Sequence, residues 1–358
     1  MFTVGVEEEF QLVDPVTGSL KGRAPDLLEN GDPVQQEFQR TMVEVATPVC
    51  GTAEEVRRML RDRRQELIDK ASAHGLAVAT AGLHPVGIYP PDQVSDTPRY
   101  HRIAARGGAP MRELHIFGMH VHVAIPNVEA AVRAMSGAAP YIPHLLALSA
   151  SSPFQFGEDT GYESFRTILR ALSPRVGPPL PVATSGEYTR LLRLLITEED
   201  RRIGQSPIAW DIRPSLRYPT LEFRFFDGCP RLETATLLAA LARALTIMFH
   251  DRPAPQRTGT DLQLLLENRW RAARFGLDAH FYRLDPPTGD QIPAREAITA
   301  LIDRIRPLSE RYGDGDVLSE AHWILEQGTA ATRMREIYEE TGSLPDVTRW
   351  VVEQTGAV

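Results

Sequence analysis

The chain has 358 residues and a formal net charge of −8, and only Lys21 and Lys70 of its 39 basic residues are lysines. This balance offers no basic face for nucleic acid, no GxxxxGK[ST] phosphate loop and no well-placed lysine for Schiff-base chemistry. With only Cys50 and Cys229, no apolar run of membrane length and no basic-then-apolar leader, the expectation is a reducing cytoplasm and no membrane partner.

Residues 2–13 read as a strand, with β character from Phe2, Val4, Val6, Phe10, Leu12 and Val13, and 14–18 as a turn. MVEVAT (42–47) is a second, short strand, and residues 52–74 a helix opened by Thr52 and Glu55 as a capping box. LAVATAG (76–82) reads as a strand, followed by the Pro- and Gly-rich loop GLHPVGIYPPD (82–92). Residues 95–106 are helical, 115–126 a strand, and 127–149 a helix kinked at Pro140 and Pro143. SSPFQFGEDTGYESFR (151–166) is a long polar loop entering a helix at 163–172, and 172–181 is another loop. Residues 185–199 are helical, and 208–228 form two strands joined around Pro219. From 231 onward the chain is mostly helix: 231–251, 260–275, 293–306, 318–326, 329–341 and 345–355. Strands early and helices late indicate α+β architecture rather than repeating βαβ units. One domain over 1–358 is expected, with a sheet-bearing part at 1–230 and a helical part at 231–358.

Side chains alternate between the faces of a strand. In GVEEEF, Glu7 and Glu9 share one face, with Val6, Glu8 and Phe10 on the other. In GMHVHVAI, His120 and His122 share a face while Met119, Val121 and Val123 turn to the core. In TLEFRFFD, Glu222 and Arg224 share a face, and in MVEVAT Glu44 lies between Val43 and Val45. Polar faces over apolar ones are routine in antiparallel sheets. A solvated face explains one such strand better than it explains Glu-x-Glu, His-x-His and Glu-x-Arg together. Oxygen-rich sets with a few imidazoles suit Mg²⁺ or Mn²⁺, with zinc as the competitor. An Arg among the acids is expected where phosphate is neutralised, because its planar fork matches phosphate oxygens. Glu8 is expected to be a surface or ion-paired residue, and Cys229 an inert thiol.

The series GVEEEF, EFQRTMVEVATP, GMHVHV and LEFRFFD resembles the short bacterial carboxylate–amine ligases, the second type of glutamate–cysteine ligase, in the glutamine synthetase-like superfamily. SPFQFGEDTGYESFR and GLHPVG resemble that group as well. The resemblance runs from about residue 3 to about 230. It implies a curved antiparallel sheet forming a funnel, with helices on its outer face and ATP and Mg²⁺ (or Mn²⁺) on its concave face. It places metal on Glu7, Glu9, Glu37, Glu44, His120 and Glu222, the nucleotide near His122, and phosphate on Arg224. Glu37 and Glu44 are an odd seven apart, so a bend near Gln39–Thr41 is required. Arg213 is expected to assist Arg224, and Arg166, Tyr162 and Arg175 to hold a carboxylate substrate. The implied reaction passes the γ-phosphate of ATP to a carboxylate, and an amine then displaces phosphate to form an amide, as in glutamate plus cysteine. A metal-dependent hydrolase and an inactive ATP- and metal-binding regulatory protein are the rivals. Small-molecule substrates and a homo-oligomer complete the expectation.

Overall fold

The computed structural model describes residues 2–29, 33–87, 89, 93–173, 175–204, 206–284 and 287–357. In chain order the elements begin with β1 (Val4–Val13), β2 (Val34–Gln36), β3 (Met42–Ala46), α1 (Ala53–Ala73), β4 (Ala77–Ala79), α2 (Pro98–Arg112) and β5 (Gly118–Ala124). Next come α3 (Val128–Ala138), α4 (Ile142–Ser149), the hairpin β6 (Phe154–Gln155) and β7 (Glu158–Asp159), α5 (Phe165–Arg170) and β8 (Val176–Gly177). They are followed by α6 (Ser185–Leu195), α7 (Glu198–Ile203), β9 (Ala209–Trp210), β10 (Ile212–Pro214) and β11 (Thr220–Asp227). The last third is α8 (Leu232–Phe249), α9 (Gly259–Phe275), the hairpin β12 (His280–Tyr282) and β13 (Gln291–Pro293), α10 (Ala294–Arg311), α11 (Ser319–Gln327), α12 (Ala330–Thr341) and α13 (Leu344–Gly356). Of the loops read at 82–92 and 172–181, residues 88, 90–92 and 174 lie outside the described residues.

One sheet dominates, with strand order β10–β11–β5–β1–β3–β2 and β4 also on β1, every pairing antiparallel. The register sets Glu7 opposite His120, Glu9 opposite Glu44, and Glu222 opposite both His122 and Arg213. Between Phe223 and Phe226 the register shifts by a bulge, which bends β11 and puts Phe225 and Phe226 both into the core. The other face carries Val6, Met119, Val121, Val123, Leu221 and Phe223, all at most 1% exposed, and α8 packs across it. Helix α8 is apolar enough for a bilayer by composition, but 83% of it is buried in the protein core. Its neighbours α3, α4, α9 and α10 belong to the same continuous cluster, so the C-terminal helices cover the sheet that the first two thirds build.

Most differences from the sequence reading have local causes. The helix read at 127–149 is divided by a 3₁₀ turn at Ala139–Tyr141, where Pro140 removes a backbone donor. The helix read at 185–199 stops at Leu195, and Thr197 starts α7 with its own capping box to Asp200. Strand β4 has three residues rather than the seven read at 76–82, because after Ala79 the backbone turns to meet Ser151 and Thr355. The loop at 151–166 contains a hairpin whose turn residues Phe156 and Gly157 both have positive φ, a type I′ pattern that a Phe does not announce.

Candidate functional site

Alternation along β1 puts Glu7, Glu9 and Gln11 on the face opposite the α8-covered core. Beside them β5 contributes Gly118, His120 and His122, and β11 contributes Glu222, Arg224 and, past the bulge, Asp227. On the other side β3 supplies Glu44. Strands β2 and β3 form a hairpin, and Gln35 pairs with Glu44, so Glu37 two residues on keeps that face. The turn between these strands is the bend that the odd spacing requires.

Two groups in this row have ligand atoms within 4.8 Å of one another: Glu7, His120 and Glu222, and Glu9, Glu44 and His120. His120 Nδ1 is 3.2 Å from a Glu7 oxygen, and His122 Nε2 is 3.4 Å from the other. His122 Nδ1 meets the Thr220 hydroxyl at 2.9 Å, and its buried Nε2 also lies 3.8 Å from Glu222. Arg213 Nε donates to Glu222 at 2.8 Å, and Arg224 donates to the same carboxylate. Glu9 accepts from the backbone N–H of Gly118.

The electrostatics divide this row in two. Burial pushes the Glu7 carboxyl up, but His120 and His122 more than offset it and hold it far below the usual carboxylate range. Burial likewise raises Glu222, and Arg224 and Arg213 reverse that. Across the sheet the acids crowd one another. Burial, then the Glu9 charge, pushes Glu37 up to about 7. Burial, then Glu37, Glu7 and Glu9, raises Glu44 well above its usual value. Burial also raises Glu9. Burial and the nearby Arg224 lower His120 to about 4, so its imidazole is neutral and has a lone pair to give. Carboxylates that repel each other around neutral imidazole form a donor set deficient in positive charge. A hard divalent cation supplies that charge, and the donors fit it. Two thiols are present and neither is near: burial raises Cys229, whose Sγ donates to the Asp227 carbonyl at 3.4 Å.

Beyond Glu9 the row ends at a gap. A Cβ on Gly118 would lie 2.0 Å from a terminal nitrogen of the Arg166 guanidinium, so glycine is what lets Arg166 lie on the sheet beside Glu9. Arg166 is 1% exposed; it donates to the Phe225 carbonyl at 3.3 Å and is 3.8 Å from Asp227, while its Nε has no hydrogen-bond partner among the described residues. Behind it, buried Asp211 binds Arg269 at 2.6 Å and Arg170 at 3.3 Å, and the Asp211 carbonyl accepts from the Arg224 N–H. Burial and the Arg166 charge lower Arg170 to about 9.

Other sequence expectations meet different surroundings. Arg175, expected at the substrate, gives its guanidinium to both oxygens of Asp200 at 3.0 Å and to the Leu195 carbonyl, so its charge is neutralised by α7. The Tyr162 hydroxyl accepts from Trp270, and Arg274 lies 5.4 Å over its ring, so Tyr162 packs on the outer side of α9. Glu8 is ion-paired but not on the surface: it is 1% exposed, and Arg64 grips it at 2.6 and 3.0 Å. The sequence reading missed Asp211, Asp227, Arg170 and Arg269. It had one clue to the gap at Arg166: glycine at the site-facing position two before His120.

The family model described as glutamate–cysteine ligase family 2 matches residues 3–350. A relative in Roseiflexus sp. (strain RS-1), provisionally named glutamate–cysteine ligase 2, is 33% identical over 99% of this chain and 94% of its own length. One in Saccharopolyspora erythraea, provisionally named glutamate–cysteine ligase 2-1, is 36% identical over 99% and 94%. Among solved structures, glutamate–cysteine ligase from Francisella tularensis in complex with AMP superimposes with a TM-score of 0.75 at 14% identity, covering 99% of this chain and 89% of that one. A bifunctional glutathione synthetase from Pasteurella multocida gives 0.70 at 17% identity, covering 99% and 52%. At those identities the structures speak for the fold.

Proposed function

The chain belongs to glutamate–cysteine ligase family 2 and is an ATP-dependent ligase that forms a C–N bond, and we propose that the polar row on β1, β3, β5 and β11 is its reaction centre. The observation that carries this reading is the crowding of half-buried carboxylates: Glu9 and Glu44 have ligand atoms within 4.8 Å of each other and of His120, and the repulsion that also raises Glu37 leaves positive charge to be supplied. Glu7, Glu9, Glu37, Glu44, His120 and Glu222 hold divalent cations, Mg²⁺ or Mn²⁺, which when bound neutralise ATP phosphate oxygens.

The remaining groups divide the work by their unused donors. The Arg224 Nε is buried and has no hydrogen-bond partner among the described residues, and in this reading it meets the γ-phosphoryl group as charge moves onto the leaving oxygen. In this reading His122, whose Nε2 stands 3.4 Å from Glu7 and 3.8 Å from Glu222, borders the nucleotide. Arg213 fixes the Glu222 carboxylate that Arg224 shares. The Arg166 Nε receives the donor carboxylate, held where burial strengthens its hydrogen bond. One carboxylate oxygen bonds to the γ-phosphorus and ADP leaves; the amine nitrogen then bonds to the acyl carbon, loses a proton, and phosphate departs with that oxygen. Glutamate is the donor and cysteine the acceptor in this reading, after the names of the relatives. The core shared by sheet and C-terminal helices supports treating the whole chain as one catalytic domain.

The test is ADP release from purified protein with Mg²⁺, ATP and glutamate, adding amines singly, cysteine first, with mass spectrometry of the product. Release that needs both acid and amine, and is lost in Glu9→Gln, supports the reading. ATP turnover that ignores the amine overturns it.

A further inference from the structure

A cavity of about 380 Å³ opens on the side of the sheet away from the polar row. Its floor is the Cys229–Pro230 segment that follows β11, and its walls come from the end of α4, the start of α8, and α11, α12 and α13. The side is fixed by Arg64, which binds the Cys229 and Pro230 carbonyls at 2.8 Å and, with its remaining donors, Glu8. Glu8 faces away from Glu7 and Glu9 by strand alternation. The volume is that of a small-molecule site, and nothing in the proposed reaction uses it.

Its chemistry is specific. Trp323 is 41% exposed at one wall, with the Arg231 guanidinium stacked 3.9 Å from its ring centroid, and half-buried Trp350 stands at another wall. Arg231 spends Nε and one terminal nitrogen on Glu320, and Arg333 spends a single terminal nitrogen on Glu336 and Glu340. Each therefore keeps at least one hydrogen-bond donor beyond these pairs. Glu336 also lines the cavity and shares Arg333 with Glu340, and Glu233 lies 3.7 Å from Arg231, so the cavity offers an acceptor free guanidinium donors rather than net positive charge. Leu148 and Ile324 complete apolar walls. Indole faces beside guanidinium donors suit a flat ring carrying a negative group.

We propose that this cavity is an effector site for a planar aromatic anion, acting on the reaction centre through the Cys229–Pro230 floor. The route is short. Arg64 ties that floor to Glu8, between Glu7 and Glu9 in β1, and Asp227, two residues before Cys229, lies beside Arg166. An occupant that moves the floor moves β1 and β11, two of the four strands bearing the polar row.

The test uses the full chain and 8-anilinonaphthalene-1-sulfonate as the aromatic anion, read by energy transfer from tryptophan. Saturation at one probe per chain is expected, and excess MgATP shifts its midpoint at most to a limiting value without abolishing it. Trp323→Leu and Arg333→Glu, both at exposed positions, each weaken binding by about tenfold, the loss of one charge-assisted or stacked contact. Trp270→Leu, on the exposed outer side of α9, leaves it unchanged. Complete displacement by MgATP, or wild-type affinity in either cavity variant, overturns the site. The rate of ADP release then shifts with the same midpoint as probe binding; a rate flat across saturation overturns the coupling. The site itself stands or falls on probe binding, with or without ligase turnover.

Discussion

Glu8 lies between two proposed metal ligands yet points to the opposite face, so its substitution separates folding from chemistry. Its carboxylate is 1% exposed and Arg64 is fully buried, with contacts of 2.6 and 3.0 Å. Glu8→Gln removes the only carboxylate that these contacts give Arg64 and leaves a buried guanidinium uncompensated. Breaking such a pair from one side costs about 3–5 kcal/mol. Arg64→Met leaves Glu8 uncompensated at a similar cost and also removes donors from the Cys229 and Pro230 carbonyls. In the double variant Glu8→Gln/Arg64→Met no charge remains buried, and the residual cost is that of the two carbonyls and the glutamine amide, about 1–3 kcal/mol each. The double variant is therefore less destabilised than the sum of the singles by several kcal/mol. Urea unfolding with unchanged slope m measures each value. A Glu8→Gln cost under about 1 kcal/mol, or singles that add, would refute the placement of this pair.

Three further outcomes are expected. In chelator, the folded chain holds a proton on Glu37 that the unfolded chain loses above pH 4.5, because its value rises from 4.5 to about 7. That stabilisation, about 3 kcal/mol, is complete below pH 4.5 and lost as pH rises through about 7. Melting temperature without metal should thus fall across this window, and Mg²⁺ should restore more of it at higher pH; a metal-free melting temperature that rises there would contradict the Glu37 environment. Gly118→Ala drives a methyl group into Arg166, so the donor-acid KM should rise about tenfold, with the KM for ATP nearly constant, in steady-state kinetics. Phe156→Gly removes a bulky side chain from a φ of +52°, and thermal unfolding should show about 1 kcal/mol of added stability.

The shared face was legible because alternation is a strict rule: Glu7, Glu9, His120, Glu222 and Arg224 take it from the strand period alone. Glu37 was legible only through family resemblance, because its face depends on a hairpin whose first strand, β2, has three residues and no apolar alternation. The arginines were the weak point. Arg166 and Arg175 are alike as loop residues in sequence, yet Asp200 neutralises one while a glycine gap brings the other beside Glu9. Which carboxylate reaches which guanidinium is decided by long-range packing, as with Asp211 and Arg269, 58 residues apart. The same holds for Glu8 and Arg64: charge in a strand reads as surface until a buried partner from a helix is known.

The acyl phosphate is the central claim, and isotope transfer tests it most directly. Glutamate labelled with ¹⁸O in its carboxylates is turned over with MgATP and cysteine, and the released phosphate is weighed by mass spectrometry. The account predicts one ¹⁸O in each phosphate for every amide formed, with ADP as the other product. Unlabelled phosphate beside the amide, or label in AMP, would contradict it.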